Sequence, residues 1–222
     1  MIRLENISKE YKVDRQKIRV LDNINLEIKD NEFIAIMGAS GSGKTTLLNI
    51  IGCMDKASYG TYYLDDRLVS SLNDNELSEI RTNKITFVFQ NFALMDKYTA
   101  YENIELPLVS KKVKKKERKK KILEVAKQLG IENQLNKLPT QMSGGQQQRI
   151  AIARSLVSGA NIILADEPTG ALDNKNGIEL MKILKELNEL GKTIVLVTHD
   201  VEIAKNAKKI IYIKDGRIEN EK

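Results

Sequence analysis

Residues 33–51 read "FIAIMGASGSGKTTLLNII", and the order of residue types in this stretch decides the fold class. An apolar run, Phe33 to Met37, is followed by a glycine-rich loop and then by a helix-forming segment. The loop fits the pattern G-x-x-x-x-G-K-[ST] at Gly38, Gly43, Lys44 and Thr45. Between a strand and a helix, those glycines let backbone amides wrap phosphates, Lys44 reaches the outer phosphates, and Thr45 offers an oxygen to Mg²⁺. An ordinary glycine turn accounts for neither the Lys-Thr pair nor the two flanks.

Working outward, "MIRLENIS" and "INLEI" precede the loop as strand signals, Ile24, Leu26 and Ile28 alternating. "YGTYYLDD" predicts another strand, "LNDNELSEIR" a short helix capped by Asn73, and "KITFVF" a strand that ends at Gln90. From about residue 99 to 156 the pattern is helical. Ile122, Val125, Ala126 and Leu129 fall on one helix face with Gly130 as a stop, and Ile150, Ala153 and Val157 on another. Strand "NIILAD", helix "GIELMKILKELNEL" and strand "KTIVLVTHD" follow, then a strand pair in "KIIYIKDGRIE" turning at Asp215-Gly216. The expected architecture is α/β: a mostly parallel sheet, antiparallel strands at the start and a helical insert over roughly 92–157 of a single 1–222 domain.

Four further places carry chemistry. "IILADEP" (162–168) delivers Asp166 and Glu167 from the carboxyl end of an apolar strand, the edge where α/β sheets bind ligands. Alone, an acid pair there reads as a helix cap or a turn. Beside a phosphate loop, Asp166 is read as a Mg²⁺ partner through water and Glu167 as the general base on the attacking water. His199, the only histidine, follows "TIVLVT" and is read as a γ-phosphate contact, and Gln90 as a contact to metal or water. "MSGGQQQRIAIARSL" (142–156) is a second glycine pair opening a helix, an anion-binding arrangement that also reads as a simple N-cap turn.

Composition excludes several classes. No apolar run approaches the ~20 residues that span a bilayer, and the N-terminus has no apolar signal-peptide core, so a cytoplasmic protein is expected. The single cysteine, Cys53, lies among apolar neighbours and is read as a buried structural thiol. The net charge of +6 is local: "KKVKKKERKKK" (111–121) holds nine Lys or Arg and one Glu, leaving the remainder slightly acidic. The run reads as a solvated loop and helix start with some attraction to anionic lipid headgroups. The alternative is a nucleic-acid patch, though neither interleaved aromatics nor a binding motif accompany it.

The ordered set of motifs resembles the ATPase subunit of ATP-binding cassette (ABC) transporters over essentially the whole chain. Tyr11 matches the family's adenine-stacking aromatic, 38–45 the phosphate loop of its nucleotide-hydrolysing core, Gln90 the Q-loop, "MSGGQ" the signature, "IILADE" Walker B, "ALD" (171–173) the D-loop and His199 the switch histidine. The resemblance implies ATP contacts from Tyr11, Gly38, Ala39, Ser40, Gly41, Ser42, Gly43, Lys44, Thr45 and Thr46, and Mg²⁺ contacts from Thr45, Gln90 and Asp166. It implies catalysis by Glu167, His199 and Gln90, and a D-loop role for Asp173. Ser143, Gly144, Gly145 and Gln146 would serve the ATP of a second copy packed head to tail, their helical subdomain being the signature-bearing insert.

"NIIGCMD", "FVFQNF", "YENIELPL" and "ADEPTGALD" are similar to the branch holding the macrolide-exporter, lipoprotein-releasing and antimicrobial-peptide-resistance ATPases. That implies a peripheral protein on the cytoplasmic face of the membrane, held by a separate integral permease whose amphipathic substrate it exports or extracts, with no nucleic-acid partner. The other readings are the ATPase of a non-transporting signalling or cell-wall complex, and a soluble ABC ATPase.

Overall fold

β3 (Phe33–Met37) is buried over its whole length, and period-two alternation divides its residues between two cores. Ile34 and Ile36 belong to one, Phe33, Ala35 and Met37 to the other. Farther along, β8 (Thr193–Val197) divides likewise, Val195 and Val197 against Ile194 and Leu196. Strands apolar on both faces belong inside a covered parallel sheet. The computed structural model, which describes residues 1–14 and 16–221, places both there.

That sheet has six strands, flanked by β9 (Lys209–Lys214) and β10 (Arg217–Glu221) on one side and by β7 (Ile162–Asp166) and β6 (Ile85–Phe89) on the other, in the order β10-β9-β3-β8-β7-β6. Every pairing is parallel except β9 with β10. Those two turn at Asp215 and Gly216, with φ of 46° and 76°, as a tight hairpin requires. A second, antiparallel sheet orders β2 (Gln16–Ile28), β1 (Ile2–Val13), β4 (Tyr59–Leu64) and β5 (Arg67–Leu68). Its inner face shares a core with α1 (Lys44–Ile51), α2 (Asp74–Asn83) and one face of the parallel sheet. Cys53 is buried in that core as expected, and burial pushes its thiol up to about 11.

The other face of the parallel sheet is covered by α3 (Ala100–Ser110), α4 (Lys115–Leu129), α5 (Gly144–Val157) and α6 (Asn174–Glu189). One short helix, α7 (Val201–Ala204), follows β8 and was not predicted. Asn73 caps α2 in a full capping box, and α4 stops at Gly130 in the left-handed conformation, φ 64°. Among the described residues no helix is long and apolar enough to cross a membrane.

The structure departs from the sequence expectations in local ways. Asp65 and Asp66 form the turn after β4 rather than extending it, with φ of 50° and 61°. α5 has no single buried face: Ala151, Ile152 and Ser155 are buried beside Ile150, Ala153 and Val157, because α3, α4 and β6 all pack on it. The basic run is not wholly solvated. Arg118 pairs with Glu105 at 2.7 Å and donates to the Val113 carbonyl, while Lys111 Nζ donates to the Ser158 carbonyl. Its other lysines are exposed.

Candidate active site

The phosphate loop leaves the carboxyl end of β3 and enters α1 at Gly43, whose φ is 104°. A Cβ there would stand 2.8 Å from the Val20 carbonyl oxygen, so only glycine fits. α1 begins with no side-chain cap and no acidic residue in its first turn, whereas α2, α3, α5, α6 and α7 each start on a capping side chain. Uncapped amides at a positive helix end form an anion site. Lys44, only 8% exposed, folds back to donate to the carbonyls of Gly38 (2.9 Å) and Ala39 (2.7 Å).

Ser40, Gly41, Gly43, Lys44, Thr45 and Thr46 line a cavity of about 740 Å³ together with Val20, Gln90, Glu167, Val197 and His199. Gly38, Ala39 and Ser42 do not line it, the buried Ser42 hydroxyl being turned toward Gly38.

Strand register assembles the opposite wall. Phe89 pairs with Asp166, and Asp166 with Val197. Gln90, Glu167 and Thr198 therefore leave the sheet edge side by side, although they are far apart in the chain. Thr45 Oγ1 donates to Asp166 Oδ1 at 3.4 Å. Burial raises the pKa of Asp166, the Thr45 bond and Lys44 opposing that and the charge of Glu167 adding to it.

Glu167 has φ 45°, an uncommon conformation for a side chain of its size and one that occurs at functional sites. Its Oε1 lies 2.8 Å from His199 Nδ1, and its Oε2 accepts from Thr198 Oγ1 at 3.3 Å. Thr198 is fully buried and was not foreseen. Its signal was available as the lone hydroxyl between an apolar strand and the histidine.

Other predicted residues lie outside the cavity. Tyr11 borders it: the hydroxyl donates to Asp55 at 2.7 Å and also meets Thr46, while Lys9 Nζ covers the ring at 4.8 Å from its centroid. Ser143 and Gln146 cap α5 reciprocally, the Gln146 side chain accepting from the Ser143 amide at 3.0 Å. A Cβ on Gly145 would come within 2.2 Å of Asn176 Oδ1, so this glycine lets the start of α6 press against the signature. Asp173 caps α6 and lines an adjoining groove that Glu167 and His199 share. None of the four signature residues lines the phosphate-loop cavity.

The donor set suits a hard divalent cation. Thr45 and Gln90 line the cavity and Asp166 reaches it through Thr45 Oγ1, so that neutral and anionic oxygens are offered together. Among the described residues no cluster of three or more His, Cys, Asp or Glu forms a closed cage. A cation completed by phosphate and water oxygens, as Mg²⁺ prefers, matches this open arrangement.

Comparison with known proteins agrees with the geometry. A family model described as "ABC transporter" matches residues 21–170. The uncharacterized ABC transporter ATP-binding protein MJ0796 of Methanocaldococcus jannaschii is 52% identical, covering 100% of this chain and 96% of its own length. The macrolide export ATP-binding/permease protein MacB 2 of Yersinia pestis is 46% identical over 98% of this chain, which spans 32% of that longer protein. The dimeric, post-hydrolysis structure of the MJ0796 cassette bound to ADP and Pi matches with a TM-score of 0.93 at 51% identity, covering 100% of this chain and 98% of that one.

Proposed function

The chain belongs to the ABC transporter family, and on that premise we propose that it is an ATP-hydrolysing subunit that works as a head-to-tail dimer on a separate membrane permease. The observation that carries this reading is the division of the anion sites: the phosphate loop faces a cavity that the signature of the same chain does not enter. A second copy packed head to tail brings its Ser143, Gly144 and Gly145 to the open side of that cavity. There the hydroxyl, the first-turn amides and the positive end of α5 meet the γ-phosphate.

Within one site, Lys44 exchanges its two carbonyl partners for phosphate oxygens, and the first-turn amides of α1 hold the β-phosphate side. Tyr11, with one ring face covered by Lys9, offers the other to adenine. Thr45, Asp166 and Gln90 would hold Mg²⁺, which supplies neutralisation of the phosphate charge when bound. Glu167 accepts the proton of the attacking water, held in place by Thr198 and His199. A ring that donates Nδ1–H to Glu167 and Nε2–H to the γ-phosphate carries hydrogen on both nitrogens, the imidazolium form.

MacB 2 combines an ATP-binding and a permease part in one protein, and this chain resembles the former. We therefore place it in the exporter branch, on the cytoplasmic face of the membrane and acting on an amphipathic substrate, with residues 92–157 as the signature-bearing subdomain. The test is reconstitution with its permease in vesicles. ATP hydrolysis should rise on assembly and require Mg²⁺. A permease complex that moves substrate equally well with a hydrolysis-dead Glu167→Gln chain would refute the proposal.

A further inference from the structure

The turn that follows Gln90 is held in an uncommon conformation by a side chain outside the cavity. Phe92 and Ala93 have φ of 60° and 47°, two consecutive non-glycine residues in the left-handed region. Arg154, near the C-terminal end of α5, reaches both. Its Nη1 donates to the Ala93 carbonyl at 2.6 Å and its Nη2 to the Phe92 carbonyl at 3.0 Å. Among the described residues these carbonyls are its only hydrogen-bond partners, and burial lowers its pKa. A partly buried guanidinium needs partners, and its rigid fork fixes the direction of both carbonyls at once.

The same turn also touches the other end of α5. Phe92 is buried, and its ring edge lies 3.6 Å from where a Cβ on Gly144 would stand. Gln90 enters the turn two residues earlier, and its amide packs against Gly170, where a Cβ would come within 2.6 Å of Nε2. The turn is thus gripped by the first and last parts of the signature helix, with a cavity residue at its entrance.

We propose that Arg154 is a positioning residue: by clamping the carbonyls of Phe92 and Ala93 it holds the turn left-handed and sets where Gln90 stands in the cavity. The carbonyls face Arg154 only while both residues keep positive φ. Released, the turn relaxes toward the commoner regions of backbone space and Gln90 swings with it. Gln90 is thereby tied to α5 through the carbonyls two and three residues along the chain. This rests on the cavity being the hydrolytic ATP site.

The experiment uses the full chain and two variants of Arg154. Arg154→Lys keeps the charge but replaces the fork with a point donor. Its kcat for ATP hydrolysis should fall by about 10- to 100-fold, the scale of a displaced active-site group, with KM nearly unchanged. Adding Ala93→Gly, which makes positive φ free of steric cost, should recover most of the lost kcat. A merely structural role would instead lower the melting temperature of Arg154→Lys while leaving the kcat of the folded fraction at the parent value.

Arg154→Gln supplies a second readout: amide exchange over residues 89–95 should quicken while residues 146–153 stay protected. Parent-like kcat in Arg154→Lys, a loss confined to KM, no recovery by Ala93→Gly, or unchanged exchange in Arg154→Gln would each overturn the proposal. The parent is assayed alongside. An inactive parent contradicts the functional reading, whereas an active parent indifferent to Arg154 contradicts only the clamp.

Discussion

His199 Nδ1 stands 2.8 Å from Glu167 Oε1, so the single histidine of the chain is bonded directly to the carboxylate that the sequence nominates as general base. Thr198, the residue before it, holds the other carboxylate oxygen. Two neighbouring residues at the end of β8 thereby orient one acid at the end of β7, and the parallel register of the two strands makes this reach possible.

Glu167→Gln keeps the shape and loses the base. Turnover should fall by roughly 10²–10⁴ while ATP still binds. Single-turnover phosphate release, with retained nucleotide counted by filtration, checks both halves. His199→Ala should also slow hydrolysis. Near-parental turnover in Glu167→Gln would remove Glu167 from its role.

Lys44→Ala removes charge-assisted hydrogen bonds to phosphate, worth about 1.5–3 kcal/mol each. Calorimetric titration should show ATP affinity lowered by an order of magnitude or more, with hydrolysis abolished. The fold should persist, because among the described residues Lys44 bonds only to carbonyls of its own loop. Unchanged affinity would contradict the assignment.

The trans arrangement has its own test. One subunit carries Lys44→Ala and the other Ser143→Arg, both in the Glu167→Gln background. If the signature serves its neighbour's nucleotide, one composite site is doubly damaged and the other is intact. The mixed pair should occlude about one ATP, and each variant alone close to none, since the γ-phosphate needs both helix ends. A verified mixed dimer with no occluded nucleotide would count against the arrangement.

With Arg118 and Lys111 tied to the protein, any attraction to anionic lipid should come from the exposed lysines of α4 and its approach, among them Lys116, Lys119 and Lys120. Binding of the isolated chain to anionic vesicles should be weak and should fade as salt shortens the Debye length. Replacing those three lysines by glutamate should abolish it. Tight, salt-resistant sedimentation would contradict an attachment made through the permease.

Acid should destabilise the fold from the carboxylate range downward. Burial alone would raise Asp55, but hydrogen bonds from Lys9, Tyr11 and the Lys56 amide outweigh it and hold its pKa low. Lys84 and the N-terminal amine do the same for Asp65. A carboxylate with a depressed folded pKa stabilises the fold above its unfolded value, and that contribution is lost as pH falls through the folded value. The melting temperature should therefore decline below about pH 4, and less steeply in Asp55→Asn. An equally steep decline in that variant would show the pair to be idle.

What the sequence determined by itself is local: the phosphate loop between its strand and helix, the acid pair ending β7, the Asn73 cap and the Gly130 stop. These depend on residues within a few positions of one another, so spacing and residue type suffice. The tertiary structure decided everything that joins distant segments. Strand register set Gln90, Glu167 and Thr198 side by side, and Thr45 met Asp166 across 121 positions. Packing on several sides buried α5 beyond the one face its apolar spacing shows, and drew Arg118 out of a run that reads as solvent-facing. It also put α1 and α5, whose glycine-bearing starts both read as anion sites in the sequence, into the separate cores on the two faces of the same sheet.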